Sequence, residues 1–268
     1  MRVLFEVLGA HIRYRRQILK LAKSDLINTY KGAALGWLWS IIRPAITIAT
    51  YYFGIAVGLR AGKPVGEYSY FLWLIAGMVP WFYISSTFTG GAGCIRKYSY
   101  LVTKIRYPIS TIPTIVSLSN LVSHAIVVFV VMVIFICSGH YPDVYWLQLP
   151  FYTLLMVLFF SAWALFAGMI SVISKDFMNL VKSSVMALFW LSGIIYSVKK
   201  VKNLWLRRFL SFNPVTIIVN GYRHALIDKV WFWEDWRLLR NFAMVYVLML
   251  LLAVWVYKRL VREIPDVL

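Results

Sequence analysis

The amino-acid sequence predicts an all-α membrane protein with six transmembrane helices. Of its 268 residues, 61% are hydrophobic and 14% are charged, whereas soluble domains usually carry about 25% charged residues. Several apolar runs approach the roughly 20 residues that a helix needs to cross a bilayer. The sequence lacks the alternating apolar and polar residues of barrel strands, so packed helices are the expected way to satisfy the backbone groups inside the membrane.

Lys and Arg, which favour cytoplasmic loops, predict the orientation of these helices. They are concentrated in the first 34 residues, in the 93–108 connection and after residue 257. We therefore expect a multi-pass protein with both termini in the cytoplasm. The predicted spans are residues 44–61, 70–92, 109–137, 150–173, 179–198 and 241–258.

Residues 1–43 are predicted to form a cytoplasmic amphipathic segment that precedes a transmembrane domain at 44–268. Its helix carries apolar residues on one side and basic residues on another: Ile12, Leu19, Ala22 and Leu26 against Arg13, Arg16, Lys20 and Lys23. Such a helix lies in the headgroup plane, where anionic lipid attracts its cations. Pro44 is then expected in the first turn of the first span, where its missing N–H costs nothing, with Arg43 at the membrane boundary.

The connection at 199–240 does not follow the preference of Lys and Arg for the cytoplasmic side, because it is expected outside the cell yet carries nine basic residues. Its apolar piece, "FNPVTIIVNGYRHALI" (Phe212 to Ile227), is too short and too interrupted to span comfortably. We predict a re-entrant helical hairpin that acts as an outer gate, with Asn213 and Pro214 breaking the chain and Tyr222 and Arg223 on the second helix. The alternatives are an ordinary loop whose cations reach lipid headgroups, and a structural Arg223 that caps a helix or pairs with Asp228.

Several kinds of chemistry are missing from the sequence. The six predicted spans contain no Asp or Glu, which argues against an ion-coupled flippase. No paired acidic motif supports a membrane enzyme acting on lipid-linked sugars. The stretch Gly58 to Pro64 only approximates a phosphate-binding loop, and the spacing of Cys and His predicts no metal site. A transport protein without these features is expected to take its energy from a partner.

Three stretches, in order, resemble the permease subunit of type-2 ABC exporters for polysaccharides and teichoic acids. They are "YKGAALGWLWSIIRPAI" (Tyr30 to Ile46), "LVTKIRYPISTIPTIVSLSNLVSH" (Leu101 to His124) and the Phe212 to Ile227 piece. Within that family, "RYPISTIPT" and "NPVTIIVNGYR" are more similar to the wall teichoic acid permeases than to the O-antigen and capsule permeases.

The resemblance implies a homodimer that works with two copies of a cytoplasmic ATPase in the bacterial cell membrane. ATP and Mg would bind to that ATPase, so this chain is expected to hold no cofactor and no catalytic residue. The implied substrate is a polymer linked to undecaprenyl (pyro)phosphate and moved outward, and no nucleic acid is expected.

The resemblance also assigns candidate residues. The connections at 95–108 and 174–180 are predicted to contact the ATPase, through Arg96, Lys97, Tyr98, Lys104, Arg106, Asp176 and Phe177. The alternative for 95–108 is a loop on the lipid surface. Aromatic side chains that could line a sugar-conducting path are Trp37, Trp39, Tyr51, Tyr52, Phe189 and Trp190, although an interfacial belt or simple packing would also account for them.

Overall fold

The computed structural model describes residues 2–60, 62–105 and 107–268, with side chains from residue 5 onward. This part of the chain is built from helices, joined by short 3-10 and π-helical turns. The α-helices are α1 (Arg2–Tyr30), α2 (Trp39–Tyr52), α3 (Tyr70–Lys97), α4 (Ser99–Thr103), α5 (Ile112–Cys137), α6 (Leu149–Ile173), α7 (Lys175–Trp190), α8 (Leu204–Ser211), α9 (Pro214–Arg223), α10 (Trp236–Leu260) and α11 (Ile264–Val267).

Five helical segments in the described residues are long and apolar enough to cross a membrane. They are Gly36–Gly58, Tyr70–Lys97, Ile109–Cys137, Val144–Ile173 and Trp236–Leu260. The predicted span at 179–198 is not among them, because α7 ends at Trp190 and Gly193 follows with a φ of +64°. The 16 residues of α7 reach about 24 Å at 1.5 Å per residue, short of the roughly 30 Å hydrocarbon core. Five of the six predicted spans therefore have the length and hydropathy of a membrane crossing, and the sixth stays a prediction.

The entry into the first span differs from the prediction. Helix α2 begins at Trp39 and continues through Pro44, so the expectation that Pro44 occupies the first turn is wrong. The chain turns earlier, where Gly32 and Gly36 have φ values of +83° and +49°. Positive φ favours glycine, so these two glycines rather than the proline allow the corner between α1 and α2.

Helix α3 occupies the centre of the molecule. Within its most apolar stretch, 78% of the residues are buried, compared with 6% in the first span. Gly91 lets α3 approach α6 closely, since a Cβ at that position would lie 2.5 Å from the Ala164 Cβ. The first span is left on the outside of the protomer, where its apolar surface is free to contact lipid or another subunit.

Helix α1 packs along α5. His11 Nε2 lies 2.8 Å from the Thr114 Oγ1, and the Tyr30 hydroxyl lies 3.3 Å from the Ser123 Oγ. The buried side of α1 carries Ile18, Ala22 and Asp25. The predicted apolar side is thus divided, because Ala22 faces the protein whereas Ile12 and Leu19 are exposed. The four basic residues predicted for the other side are also exposed: Arg13, Arg16, Lys20 and Lys23.

The connections gather at two opposite ends of the helices. The α1 end comprises α1, residues 98–105 and 107–111, the α6–α7 junction and α11. The α9 end comprises residues 59–60, 62–69, 138–148 and 191–235. At the α9 end, α8 and α9 form the predicted pair of short helices, with Asn213 as the N-cap of α9 and Pro214 as its first residue.

Candidate functional site

Arg223 is the most constrained cation at the α9 end. It is only 3% exposed, and its guanidinium donates from Nη1 to the Gly193 carbonyl at 2.8 Å and from Nη2 to the Ile194 carbonyl. Both acceptors lie in the turn after α7. Two parallel bonds from one planar group fix both distance and orientation. Arg223 therefore holds the end of α9 against this turn.

Two residues of α3 complete the Arg223 site. The Arg223 Cζ lies 3.4 Å from the centroid of the Trp73 ring, a position in which the ring face attracts the cation. A Cβ at Gly77 would lie 3.0 Å from the same Cζ and 3.2 Å from the Ile194 oxygen. The absence of a side chain at Gly77 is thus what admits the guanidinium.

Asn213 attaches the other end of α9 to the same turn. Its side-chain oxygen accepts from the Val215 N–H at 2.9 Å, which is an N-cap bond. Its Nδ2 donates to the Leu191 carbonyl and to the Ser192 Oγ, each at 3.2 Å. Both ends of α9 are therefore bonded to residues 191–194, the turn that follows α7.

Tyr222 anchors α9 to two long helices. Its hydroxyl lies 2.7 Å from the His124 Nε2 of α5 and 2.6 Å from the Thr153 Oγ1 of α6, and the whole side chain is buried. The neighbouring Gly221 allows close contact with the Tyr152 ring, which a Cβ would overlap. The predicted gate residues are thus gathered on one helix, and each of their polar side chains already has protein partners.

A cavity of about 600 Å³ lies beside Arg223. Four cations and one carboxylate line it: Lys63, Lys199, Lys200, Arg223 and Asp228. Tyr70, Trp73 and Asn220 add aromatic and amide groups to the wall. The excess of positive charge suits an anion, and the aromatic faces and polar tips suit sugar rings.

Three further contacts hold the α9 end together and were not found from the sequence. Gln148 is buried, donates to the Val230 carbonyl at 3.1 Å and accepts from the Phe232 N–H at 2.7 Å. Lys229 pairs with Asp143 at 3.3 Å, and this hydrogen bond raises the pKa of Lys229 above its ordinary value. These pairs are 82 or more residues apart in the chain, which leaves no local signal of them.

At the α1 end, Arg96 has a structural contact. Its Nε donates to the Ser171 carbonyl at 2.9 Å and its Nη2 to the Val172 carbonyl at 2.7 Å. The last carbonyls of a helix have no partner within it, and a cation there also opposes the negative end of the helix dipole. Arg96 therefore caps α6 from the end of α3.

Lys97 and Tyr98 both bind Asp25 of α1. The Lys97 Nζ and the Tyr98 hydroxyl donate to its Oδ1, and Asp25 is 6% exposed. Burial alone would raise the pKa of this carboxyl, but hydrogen bonds from Lys97, Tyr98 and Ser119 outweigh it and lower the pKa below its ordinary 3.8. Sequence reasoning missed Asp25, although its spacing of three and seven residues from Ala22 and Ile18 placed an acid on the buried side of α1.

The remaining coupling candidates are less constrained. Instead of one docking helix over 95–108, the structure has the end of α3, the five-residue α4 and a turn, with Leu101 and Val102 buried and Lys104 exposed. Asp176 is exposed in the first turn of α7, and Phe177 packs edge-on to Phe166 at 6.3 Å. Arg106 lies outside the described residues.

The aromatic candidates do not form one continuous group. Tyr51 and Phe189 contact each other with ring centroids 4.7 Å apart, and Phe189 also packs on Trp81 at 5.2 Å. Tyr52 meets Phe71 at 5.3 Å, Trp190 is exposed beside Phe189, and Trp39 is half-buried. Trp37 is exposed and lies at the other end of the first span, about 20 Å from Tyr51 at 1.5 Å per residue. Packing therefore accounts for Tyr51 and Phe189 in the protomer.

The described residues contain no group of three or more His, Cys, Asp or Glu side chains that could hold a metal ion. Cys94 is buried and Cys137 is exposed, and both are free thiols.

Comparison with known proteins identifies related transport proteins. The ABC-2 type transporter family matches residues 16–227. The O-antigen export system permease protein RfbA of Myxococcus xanthus is 24% identical over 212 residues, which cover 79% of this chain and 80% of that protein. Two proteins of the same name from Klebsiella pneumoniae are 25% and 24% identical, cover 80% and 79% of this chain, and are themselves covered over 81% and 80% of their length. Since the family match covers most of the sequence and the helices include five apolar spans, this chain is a multi-pass membrane protein that belongs to the ABC-2 type transporter family.

Proposed function

We propose that this chain is the permease subunit of an ATP-driven exporter that moves a cell-surface polysaccharide, linked to undecaprenyl (pyro)phosphate, out of the bacterial cytoplasm. The observation that carries the proposal is the cationic, aromatic cavity of about 600 Å³ at the α9 end. A polymer with phosphate and sugar groups matches that lining. The names of the related RfbA proteins support polysaccharide as the transported class.

In this proposal the α9 end faces the cell exterior and α8 and α9 re-enter the membrane as an outer gate. Exposed apolar side chains on α8, including Trp205 and Phe209, suit an interface with lipid headgroups and acyl chains. The buried α9 closes the exit through its bonds to residues 191–194. Release of the carbonyls of Gly193 and Ile194 by Arg223 would free its guanidinium to pair with phosphate.

The α1 end would then face the cytoplasm and receive the ATPase. Exposed groups there are Lys104, Ile105 and Asp176, whereas Arg96 and Lys97 serve internal contacts. A displacement of α4 or of the start of α7 by the ATPase would be transmitted along α7 and through the turn at 191–194 to α9. We also propose that two copies of the chain pair, with the sparsely buried first span at their interface.

The type of polymer rests on two opposing indications. The relatives' names favour an O-antigen type of polymer, whereas the motifs "RYPISTIPT" and "NPVTIIVNGYR" resemble those of the teichoic acid permeases. Depleting the chain in its own organism and identifying the lipid-linked polymer that accumulates inside the cell distinguishes the two.

The decisive experiment is reconstitution. The chain is co-expressed with the ATPase encoded in the neighbouring reading frame, and the complex is placed in vesicles with a labelled undecaprenyl diphosphate oligosaccharide. We expect a stable complex and ATP-dependent transfer of the label across the bilayer. Transport by the chain alone under an ion gradient would instead identify an ion-coupled flippase, and chemical modification of the label would identify an enzyme.

A further inference from the structure

A second cleft lies where α1, α2, α3 and α5 meet, towards the α1 end. It is distinct from the Arg223 cavity, although His124 in its wall is bonded to the Tyr222 hydroxyl. Its volume is about 190 Å³ and eight hydroxyl side chains line it, among them Ser40, Ser86, Ser119 and Ser123. Arg43 lies at its edge. Some of these hydroxyls bond within the protein, as Tyr30 does to Ser123, and Arg43 is exposed, so the cleft offers polar groups and an accessible cation to a ligand.

Ser40 and Arg43 are the cleft groups that a ligand could engage. The Ser40 Oγ is buried and makes no hydrogen bond within the described residues, and Pro44 removes the N–H that would normally bond to the Ser40 carbonyl four residues earlier. Arg43 is exposed, forms no ion pair with any residue that the structure describes, and has its Cζ 5.7 Å from the centroid of the Trp39 ring. The nearby carboxylate of Asp25 is already bound by Lys97 and Tyr98. Arg43 therefore remains available to an external anion.

An apolar groove continues from this cleft along α2. It also has a volume of about 190 Å³, shares Pro44 and Val127 with the polar cleft, and is lined throughout by apolar residues of α2, α3 and α5. Ala45 and Ala49, one helical turn apart, leave the space on the α2 side. The first span is little buried, so a hydrocarbon chain can enter this groove sideways from the bilayer.

A polar pocket with an unpaired cation, joined to an apolar groove, matches one class of molecule. We propose that these two clefts bind a single lipid whose phosphate lies at Arg43 and Ser40 and whose tail lies along Ala45 and Ala49. The polar cleft is smaller than the roughly 300–1,000 Å³ of a drug-sized site, so it holds a phosphate with at most one sugar ring. Resting on the proposed function, we assign the lipid as the polyprenyl phosphate carrier of the polymer, held before export.

The test measures lipid binding by the full-length chain in phosphatidylcholine nanodiscs, without ATPase or transport. The probes are radiolabelled undecaprenyl phosphate, undecaprenol, which lacks the phosphate, and phosphatidylglycerol as competitor. We expect Arg43→Gln to weaken undecaprenyl phosphate binding by about tenfold or more, because it removes a charged hydrogen bond. Binding of undecaprenol should be unchanged by this substitution.

Arg259→Gln is the matched control. Arg259 lies four residues after Trp255, with its Cζ 5.0 Å from that ring, so the control removes the same cation and ring contact at the same end of the molecule but away from the cleft. It should change binding by less than about twofold. An equal loss in Arg43→Gln and Arg259→Gln would overturn the site.

Two more variants test the hydroxyl and the tail. Ser40→Ala should weaken phosphate-lipid binding while the thermal stability of the lipid-free chain stays equal or rises, since a buried unpaired hydroxyl is removed. Ala49→Leu should weaken binding of both undecaprenyl lipids by filling the groove. Unchanged binding in both variants would contradict the proposal.

Competition separates the two sources of lipid phosphate. Phosphatidylglycerol that displaces the probe at equal concentration would overturn the assignment to the carrier lipid. The binding experiment and the export experiment can fail independently of each other. Normal binding in a chain that exports no polysaccharide would refute the exporter, whereas normal export with unaltered binding in Arg43→Gln would refute only this site.

Discussion

At the residue scale, the Arg223 guanidinium holds two carbonyl groups and one aromatic ring at the same time. The carbonyls belong to the turn after α7 and the ring belongs to α3, so the end of α9, this turn and α3 meet at one side chain. The charge is fully desolvated, and a buried charge is stable only when its hydrogen bonds are made. Its two bonds to carbonyls and the Trp73 face meet most of this requirement, whereas its buried Nε has no hydrogen-bond partner among the described residues.

Arg223→Lys keeps the positive charge but removes the planar guanidinium that donates to two carbonyls at once. Lys can reach only one of the two carbonyls, so we expect a loss of stability of about 1.5–3 kcal/mol, measured by thermal unfolding. The matched control is Arg207→Lys on the exposed α8, expected to be neutral. If Arg223 acts at the gate, the variant still assembles with its ATPase and hydrolyses ATP but fails to export. Failure to assemble would make its role purely structural.

Gly77→Ala tests the same site from the other side. The added Cβ would lie 3.0 Å from the Arg223 Cζ, and forcing a methyl group into a packed site costs about 1–3 kcal/mol. Gly9→Ala in α1 is the control, because a Cβ at Gly9 would meet no atom of another element within 4 Å. This substitution should be neutral or stabilise the protein by up to about 1 kcal/mol. Equal melting temperatures for the two variants would show that the guanidinium does not occupy this space.

At the element scale, helix α1 is attached to the rest of the protein through a few polar contacts. Asp25 joins it to the end of α3, and His11 and Tyr30 join it to α5. Its other sides carry basic residues and the exposed apolar Ile12 and Leu19. An element with so few buried contacts is the kind that opens before the whole protein unfolds.

Lowering the pH should release α1. The pKa of Asp25 lies below its ordinary 3.8 in the folded protein, so its stabilising contribution is complete above pH 3.8 and is lost as the pH falls through the lower folded value. The protection factors of the α1 amides, which correct for the intrinsic pH dependence of exchange, should therefore be unchanged from pH 7 to pH 5 and fall only in strong acid. In Asp25→Asn, α1 should exchange faster at pH 7 as well, and protection equal to wild type would contradict this role.

Reversing the charge of Lys104 or Lys97 distinguishes a residue that contacts the ATPase from one that holds α1 in place. Lys104 is exposed, whereas Lys97 pairs with Asp25. Lys104→Glu should leave the melting temperature unchanged and reduce association with the ATPase, measured by co-purification. Lys97→Glu should instead lower the stability of α1. Full ATPase binding by Lys104→Glu would favour a connection that only contacts lipid.

At the scale of the whole molecule, the two ends of the helices differ in how they are built. The α9 end is held by long-range bonds among loops, including Gln148 to residues 230 and 232 and Lys229 to Asp143. The α1 end is held by contacts between helix termini, such as Arg96 on the last carbonyls of α6. Helix α7 starts at the α6–α7 junction of the α1 end, and its following turn at 191–194 belongs to the α9 end.

The proposed orientation predicts which end is reached from outside the cell. In a Cys137→Ser background, which removes the exposed native thiol, Val144→Cys should react with a membrane-impermeant maleimide in intact cells. Thr103→Cys, also exposed but at the α1 end, should react only after permeabilisation. Labelling of Thr103→Cys in intact cells would reverse the topology.

The sequence determined those features that depend on residues close together in the chain. Hydropathy placed the five long spans, and the Asn213-Pro214 pair placed the break between α8 and α9, because caps and apolar runs act over a few residues. The amphipathic pattern likewise predicted α1. The prediction for Pro44 was wrong because the sequence does not distinguish a proline inside a helix from a proline in its first turn. The turn is made by Gly32 and Gly36, and hydropathy does not reveal a turn at glycine.

The tertiary structure decided the partners. Arg223 binds a carbonyl 30 residues away and Asp25 binds an amine 72 residues away, and no local pattern pairs groups at such separations. The same holds for the length of α7, which ends where Gly193 and the guanidinium of Arg223 shape the following turn. It holds also for Arg43, whose cleft exists only because four helices meet there. Burial converts each of these charges from a solvated side chain into one that must have a partner, and only the packing of the helices shows which groups are buried.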